Sequence, residues 1–185
     1  GGGVAVLLEL IKTMAANPWN CTIDFVFFDR EENGLLGSQF YIRNVVNRAD
    51  HFGMINLDIE GMGDEVFVGP VGGGDDNFLM PLVRKAAKQT KFDYKEEDVF
   101  PGSDYASFAQ AGLENISISV VPKGDPELLA RMVRAGGRID PKYTPQVMTV
   151  MHTPNDKSSK MSPQSLEISY EFTSAVLQLI NHSVH

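Results

Sequence analysis

Short apolar runs of strand character alternate with segments of helical period along almost the whole chain. Strands that are apolar on both sides are buried only when helices cover both faces of the sheet they form. Thr22 to Phe28 is a β-branched and aromatic run, and Gly53 to Ile59, Val66 to Val68 and Ile116 to Val121 read as further strands. The helices come between and around them. Val4, Leu7, Leu8 and Ile11 keep helical spacing until Asn17-Pro18 stops it, and Leu35, Leu36, Phe40, Ile42 and Val45 keep it through Gly34 to Val46. Further helices are expected at Asn77 to Thr90, Ser103 to Ala111, Asp125 to Ala135 and Pro163 to His182. Asp125 stands as the cap of the third of these, ahead of Pro126, and Ser162 as the cap of the last. Gly72-Gly73-Gly74 marks a turn, and Gly136 to Thr149 is the longest irregular stretch. The expected fold is an α/β three-layer sandwich, its sheet mostly parallel or mixed. With 185 residues, 43% of them hydrophobic and 22% charged, the chain suits one domain over residues 1–185.

Charge narrows the function classes. Sixteen Lys and Arg are scattered among 24 Asp and Glu, the formal charge is -8, and no basic stripe is present to displace counterions from nucleic acid. No apolar run is long enough to span a bilayer, and the chain opens at Gly1-Gly2-Gly3 without the order of a signal peptide. A helix starting with so little lead-in reads as part of a longer protein, so compartment is left open. The single Cys21 excludes an internal disulfide and a multi-thiolate zinc site.

Chemistry concentrates where apolar strands end, the edge at which open α/β sheets gather ligands. Asp29-Arg30-Glu31-Glu32 follows the run ending at Phe28. Adjacent carboxylates repel unless a cation or a proton relieves them, and a metal ion does so while leaving the neighbouring carboxylate free as a base. The plain alternative is a solvated acidic turn favouring the next helix N-terminus. Asp58 ends the next strand, with Glu60 a weaker candidate two residues on, and Asp58 also suits a simple turn cap. His152 follows Val150-Met151 and precedes Pro154, where it serves equally as a zinc ligand, with Asp156 or a carbonyl holding its other nitrogen, or as a structural residue. His51, His182 and His185 lack such settings. Three carboxylates and one imidazole at the ends of separate strands make the supply pattern of a nitrogen-and-oxygen zinc site.

Four segments carry a resemblance. Glu31-Glu32-x-Gly34-Leu35-Leu36-Gly37-Ser38, Asn56-Leu57-Asp58-x-x-Gly61, Ser103-Asp104-x-x-Ser107-Phe108 and His152-Thr153-Pro154-x-Asp156 resemble, in order and spacing, the motifs of the co-catalytic zinc aminopeptidases, a family that also includes glutaminyl cyclases. The resemblance implies a zinc-exopeptidase fold whose first strands lie upstream of Gly1. It implies Glu31 as general base, taking a proton from zinc-bound water and relaying it to the leaving amine. Glu32 and His152 are then ligands of one zinc and Asp58 a ligand of the second, while Asp104 and Tyr105, the latter standing where relatives carry histidine, line the substrate site. The implied cofactor is two zinc ions and the implied partner a peptide with a free N-terminus. The family's His-x-Asp motif and bridging aspartate are not in this sequence, so zinc occupancy here is expected to be partial or nil and hydrolysis weak. Two other readings accompany this one: a glutaminyl cyclase-like acyltransferase using the same paired glutamates, and a metal-free binding domain of the same fold.

Overall fold

The computed structural model describes residues 1–47, 49–71, 77–138 and 140–184. The expected turn at Gly72-Gly73-Gly74 and His185 lie outside the described residues. Among those described, four strands, β1 (Met54–Leu57), β2 (Glu65–Gly69), β3 (Asp93–Glu96) and β4 (Asn115–Val121), form one sheet in the order β1-β4-β2-β3. β1 pairs with β4 and β2 with β3 in parallel, while β2 pairs with β4 antiparallel, so the sheet is mixed.

The register sorts the side chains. Ile55 and Leu57 of β1, Val66 and Val68 of β2 and Ile116, Ile118 and Val120 of β4 face one way, where three helices cover them. These are α1 (Gly2–Met14), α3 (Leu79–Thr90) and α6 (Pro163–Ser183), which bring Val6, Leu10, Val83, Phe172 and Val176 into the same apolar cluster. On the other face Phe67 of β2 and Val121 of β4 meet Phe100, Val147 and Leu129, the last from α5 (Asp125–Arg134). The shorter α4 (Tyr105–Gln110) lies over β1 and β4, and α2 (Leu36–Asn44) packs beside α4. Helices therefore cover both faces, as the alternation requires.

Several elements differ from the sequence reading. Thr22 to Phe28 takes no regular secondary structure; Ile23 and Phe25 pack on the main core, but these residues carry no ladder with another strand among the described residues. Composition alone gives a run a strand's propensity; membership of a sheet needs a partner backbone. β3 went unread because Asp93-Tyr94-Lys95-Glu96 is charged, which suits a sheet edge. α1 starts at Gly2 rather than Val4: a Cβ on Gly2 would stand 2.3 Å from the Glu60 carbonyl oxygen, and one on Gly3 2.5 Å from that of Leu57, so the glycines allow the helix to lie against the end of β1. Ser162 does cap α6, its hydroxyl accepting from the Ser165 amide at 3.3 Å. Asp125 does not cap α5; its carboxylate accepts instead from the amides of Gln146 and Val147, both at 2.8 Å. No helix among the described residues is long and apolar enough to cross a membrane.

Candidate active site

Glu31, Glu32 and Asn33 occupy a single 3-10 turn between the Thr22 to Phe28 segment and α2. Its backbone is tightly folded: Arg30 (φ 52°) and Leu35 (φ 62°) both sit in the left-handed region, which costs a side-chain-bearing residue roughly 1 kcal/mol. Ile59 (φ 57°), directly after Asp58, and His152 itself (φ 59°) share that conformation. Positive φ at non-glycine residues therefore recurs beside the candidate residues, the pattern by which a fold aims side chains at the expense of local strain. A close approach fixes the turn from the other side, since a Cβ on Gly37 would stand 2.5 Å from the carbonyl oxygen of Asp29.

Glu31 is the electrostatic centre. Partial burial first, and then the carboxylates of Asp58, Glu32 and Asp104, push its carboxyl up to about 7, against a smaller opposing pull from His152. Residues 31, 58, 104 and 152 thus belong to one neighbourhood although the sequence separates them widely. The Glu32 Oε1 and His152 Nε2 atoms are 3.4 Å apart, with both side chains largely open to solvent. Asp58 follows β1, its Oδ1 accepting from the Ile59 amide at 2.9 Å and its carbonyl from the Ser119 hydroxyl.

Asp104 is nearly buried, one carboxylate oxygen lacks a hydrogen-bond partner, and burial raises its pKa while the nearby Ser38 hydroxyl partly offsets this. Its charge reaches Glu31, after those of Asp58 and Glu32. Tyr105, its neighbour, donates its hydroxyl to the Phe100 carbonyl at 3.0 Å and meets the Phe100 ring edge-on, so the side chain is committed to packing. Asp156, which with a backbone carbonyl was one of two expected partners for the His152 ring, accepts from the backbone amide of His152 at 3.4 Å. Glu60 is turned away from the edge: its carboxylate oxygens are sealed against α6 beside Ser169. His51 has a neighbouring acid after all, Asp24, and stacks on Phe108 at 5.6 Å between centroids.

The sequence reading also missed a polar layer beneath the site. Asn56 Nδ2 donates to the hydroxyls of Ser103 (3.1 Å) and Ser117 (3.2 Å), and the Ser38 and Ser107 hydroxyls bond at 2.9 Å, both sets buried. These contacts join β1, β4, α2 and the start of α4, fixing the supports of Asp58, Glu31 and Asp104 to one another. The alternation Ile116-Ser117-Ile118-Ser119 was the available signal, a polar stripe on one face of a buried strand.

Glu32 and His152 suit zinc by donor chemistry, but a protein-built site supplies three or four donors. Among the described residues no group of three or more His, Cys, Asp or Glu side chains is placed to hold a metal ion, so the donor set is incomplete.

A mixed sheet between helical layers, with Glu31 beside a carboxylate–imidazole pair, places the chain in the α/β class. Residues 1–177 match the model of Peptidase family M28, and the chain belongs to that family. It is 25% identical over 183 residues to aminopeptidase YwaD of Bacillus subtilis, spanning 96% of this chain and 36% of that protein. The structure of BSAP, a zinc aminopeptidase from Bacillus subtilis, matches with a TM-score of 0.74 at 26% identity over 95% of this chain and 40% of that one. An aminopeptidase from Aneurinibacillus sp. strain AM-1 matches with a TM-score of 0.70 at 24% identity, over 95% of this chain and 37% of that one. The chain thus spans well under half the length of these relatives.

Proposed function

We propose that the chain is the part of an aminopeptidase that carries the general base, acting on peptides with a free N-terminus. The observation that carries this reading is the placing of Glu31 beside the Glu32–His152 pair, 3.4 Å apart, at one edge of the sheet. Glu31 accepts a proton from the attacking water and returns it to the departing amine, and a carboxyl held near neutrality by its surroundings suits both transfers. Glu32 and His152 would hold one zinc ion and Asp58 a second, the ions supplying Lewis acidity to the scissile carbonyl. Asp104 keeps negative charge near Glu31 and so favours its protonated state after the first transfer. The relatives named above support the aminopeptidase assignment, and their greater length leaves the activity of these residues by themselves to experiment.

With zinc added, slow hydrolysis of leucyl-p-nitroanilide is expected, falling by about 100-fold or more in Glu31→Gln. Equal rates in the two proteins would remove Glu31 from the role. Offering an N-terminal glutamine peptide in parallel tests the cyclase reading, which requires release of ammonia without peptide cleavage. Calorimetry should find zinc bound weakly, because a two-donor pair leaves most of the coordination to water, and His152→Ala should abolish what binding there is. Two tightly held ions would overturn the ligand assignment.

A further inference from the structure

A cavity of about 260 Å³ lies at the C-terminal half of α5, between that helix and the loop that follows it. Its apolar wall is Leu128, Met132 and Ala135, and its polar wall is Arg131, Arg138, Asp140 and Tyr143. The Arg131 guanidinium carbon lies 3.7 Å from the centroid of the Tyr143 ring, and Lys142 Nζ lies 5.4 Å from the same centroid. Two cationic side chains, Arg131 and Lys142, therefore meet at one aromatic ring, and Arg138 lines the same cavity.

Their neighbours are neutralised and they are not. Arg134, on the same helix, bonds the carboxylates of Glu97 and Asp98, Lys95 bonds Glu127 and Lys123 bonds Asp93. Among the described residues Arg131, Arg138 and Lys142 form no ion pair. Asp140, the acid at hand, accepts through Oδ1 from the Lys142 amide at 2.9 Å and closes the Pro141–Tyr143 turn. Like charges brought together in a chain of net charge -8 are poorly compensated until an anion joins them. Stacking on Tyr143 fixes the plane of the Arg131 guanidinium and leaves its N–H edge free for a planar, two-oxygen acceptor. The apolar wall beside it calls for an anion with an organic body. The volume falls just below that of drug-sized pockets and suits something of one or two amino-acid residues.

We infer that this cavity binds the carboxylate of an amino acid or short peptide, Arg131 and Arg138 taking the carboxylate and Leu128, Met132 and Ala135 the side chain attached to it. Met132 packs on the same apolar cluster as Ile59 and Tyr105, which follow Asp58 and Asp104 in sequence. The cavity and the candidate active site are thus backed by one wall. The inference does not depend on the peptidase reading, because binding is measured without turnover.

The test is a ¹H–¹⁵N NMR titration of the full 185-residue chain with N-acetylphenylalanine, its amide, inorganic phosphate, and an acetylated, C-terminally amidated Glu-Phe dipeptide. N-acetylphenylalanine is expected to shift resonances of residues 128–143, with the amide binding roughly tenfold or more weaker. Arg131→Gln should weaken N-acetylphenylalanine by a similar factor, and Arg138→Gln does the same should the first variant fold poorly. Binding of the Glu-Phe amide would assign the pocket to acidic side chains, and its failure beside binding of N-acetylphenylalanine would assign it to α-carboxylates. Equal binding of acid and amide, phosphate matching the organic acid, or shifts confined to residues outside 128–143 would each overturn the inference.

Discussion

Glu60 poses the sharpest question at the level of single residues. Both of its carboxylate oxygens are buried without a well-formed hydrogen bond, although Ser169 and the Val120 backbone lie near enough to ease the charge somewhat. Burial holds the carboxyl well above its ordinary range. Among the described residues the hydroxyls of Ser165, Ser169 and Thr173, at four-residue spacing along α6, likewise make no hydrogen bond of good geometry, which makes a polar seam inside an otherwise apolar layer. Such groups forfeit their hydration without recovering it. Replacing Glu60 by Met, of similar length, is expected to stabilise the fold by about 1 kcal/mol or more. Urea denaturation of the two proteins measures this, and a loss of stability in Glu60→Met would mean that the seam is satisfied in a way its distances do not suggest. Asp125 shows the opposite case: a buried carboxylate whose two oxygens are both used, tying α5 to residues 146–147 and so steadying the loop that runs on to His152.

Among the elements, β3 is tied to α3 by a charge pair. Arg84 donates from Nε and Nη2 to the Glu96 carboxylate at 3.0 and 2.9 Å, and the Tyr94 hydroxyl adds a third bond at 2.8 Å. The guanidinium above all holds the Glu96 carboxyl below its ordinary value, against partial desolvation. A carboxyl depressed in the folded state stabilises fully above its unfolded pKa of 4.5, and that contribution is lost as pH falls through the folded value. Glu96 is only partly buried, so the effect is expected to stay below about 1 kcal/mol. Glu96→Gln should be less stable than the parent at pH 7 and converge with it near pH 3 in thermal melts; a gap unchanged across that range would sink the pairing. The same charged residues hid β3 from the sequence, because edge strands trade apolar alternation for charge. Conversely, Thr22 to Phe28 had the composition of a strand, and only the tertiary arrangement decides whether a backbone lies within reach. The helices were legible from period alone, with ends off by one to three residues where glycine packing or a redirected carboxylate, at Gly2 and Asp125, decides the boundary. The candidate site was legible as a list, Glu31, Glu32, Asp58 and His152. The electrostatic reach of Asp104 to Glu31 and the serine layer beneath them join residues dozens of positions apart, which local pattern cannot disclose.

For the molecule as a whole, α6 is the organiser. It contacts α1, α3 and β4, and Phe172, fully buried, stacks on Tyr94 at 5.9 Å from the middle of the main core. Phe172→Ala is expected to cost about 3–5 kcal/mol, a large share of the stability of a domain this size. A loss under 1 kcal/mol by chemical denaturation would show that the core closes without it. The second cluster, around Phe67 and Phe100, shares no buried residue with the first and supports the candidate active site and the α5 cavity together. The two faces of the sheet thus differ, one packing against α1, α3 and α6 and the other backing the candidate site.

The position of α6 in the chain has a consequence for how the protein is made. Residues 163–183 are synthesised after the other described elements, yet they cover the inner faces of α1, α3 and the central strand β4. While the ribosome is still translating, Val6, Leu10, Val83 and Ile118 have no lid, and the nascent chain carries a bare apolar face that invites chaperones or its own neighbours on the polysome. Until α6 is made, the apolar face that it covers in the folded protein stays bare, whatever the state of the sheet.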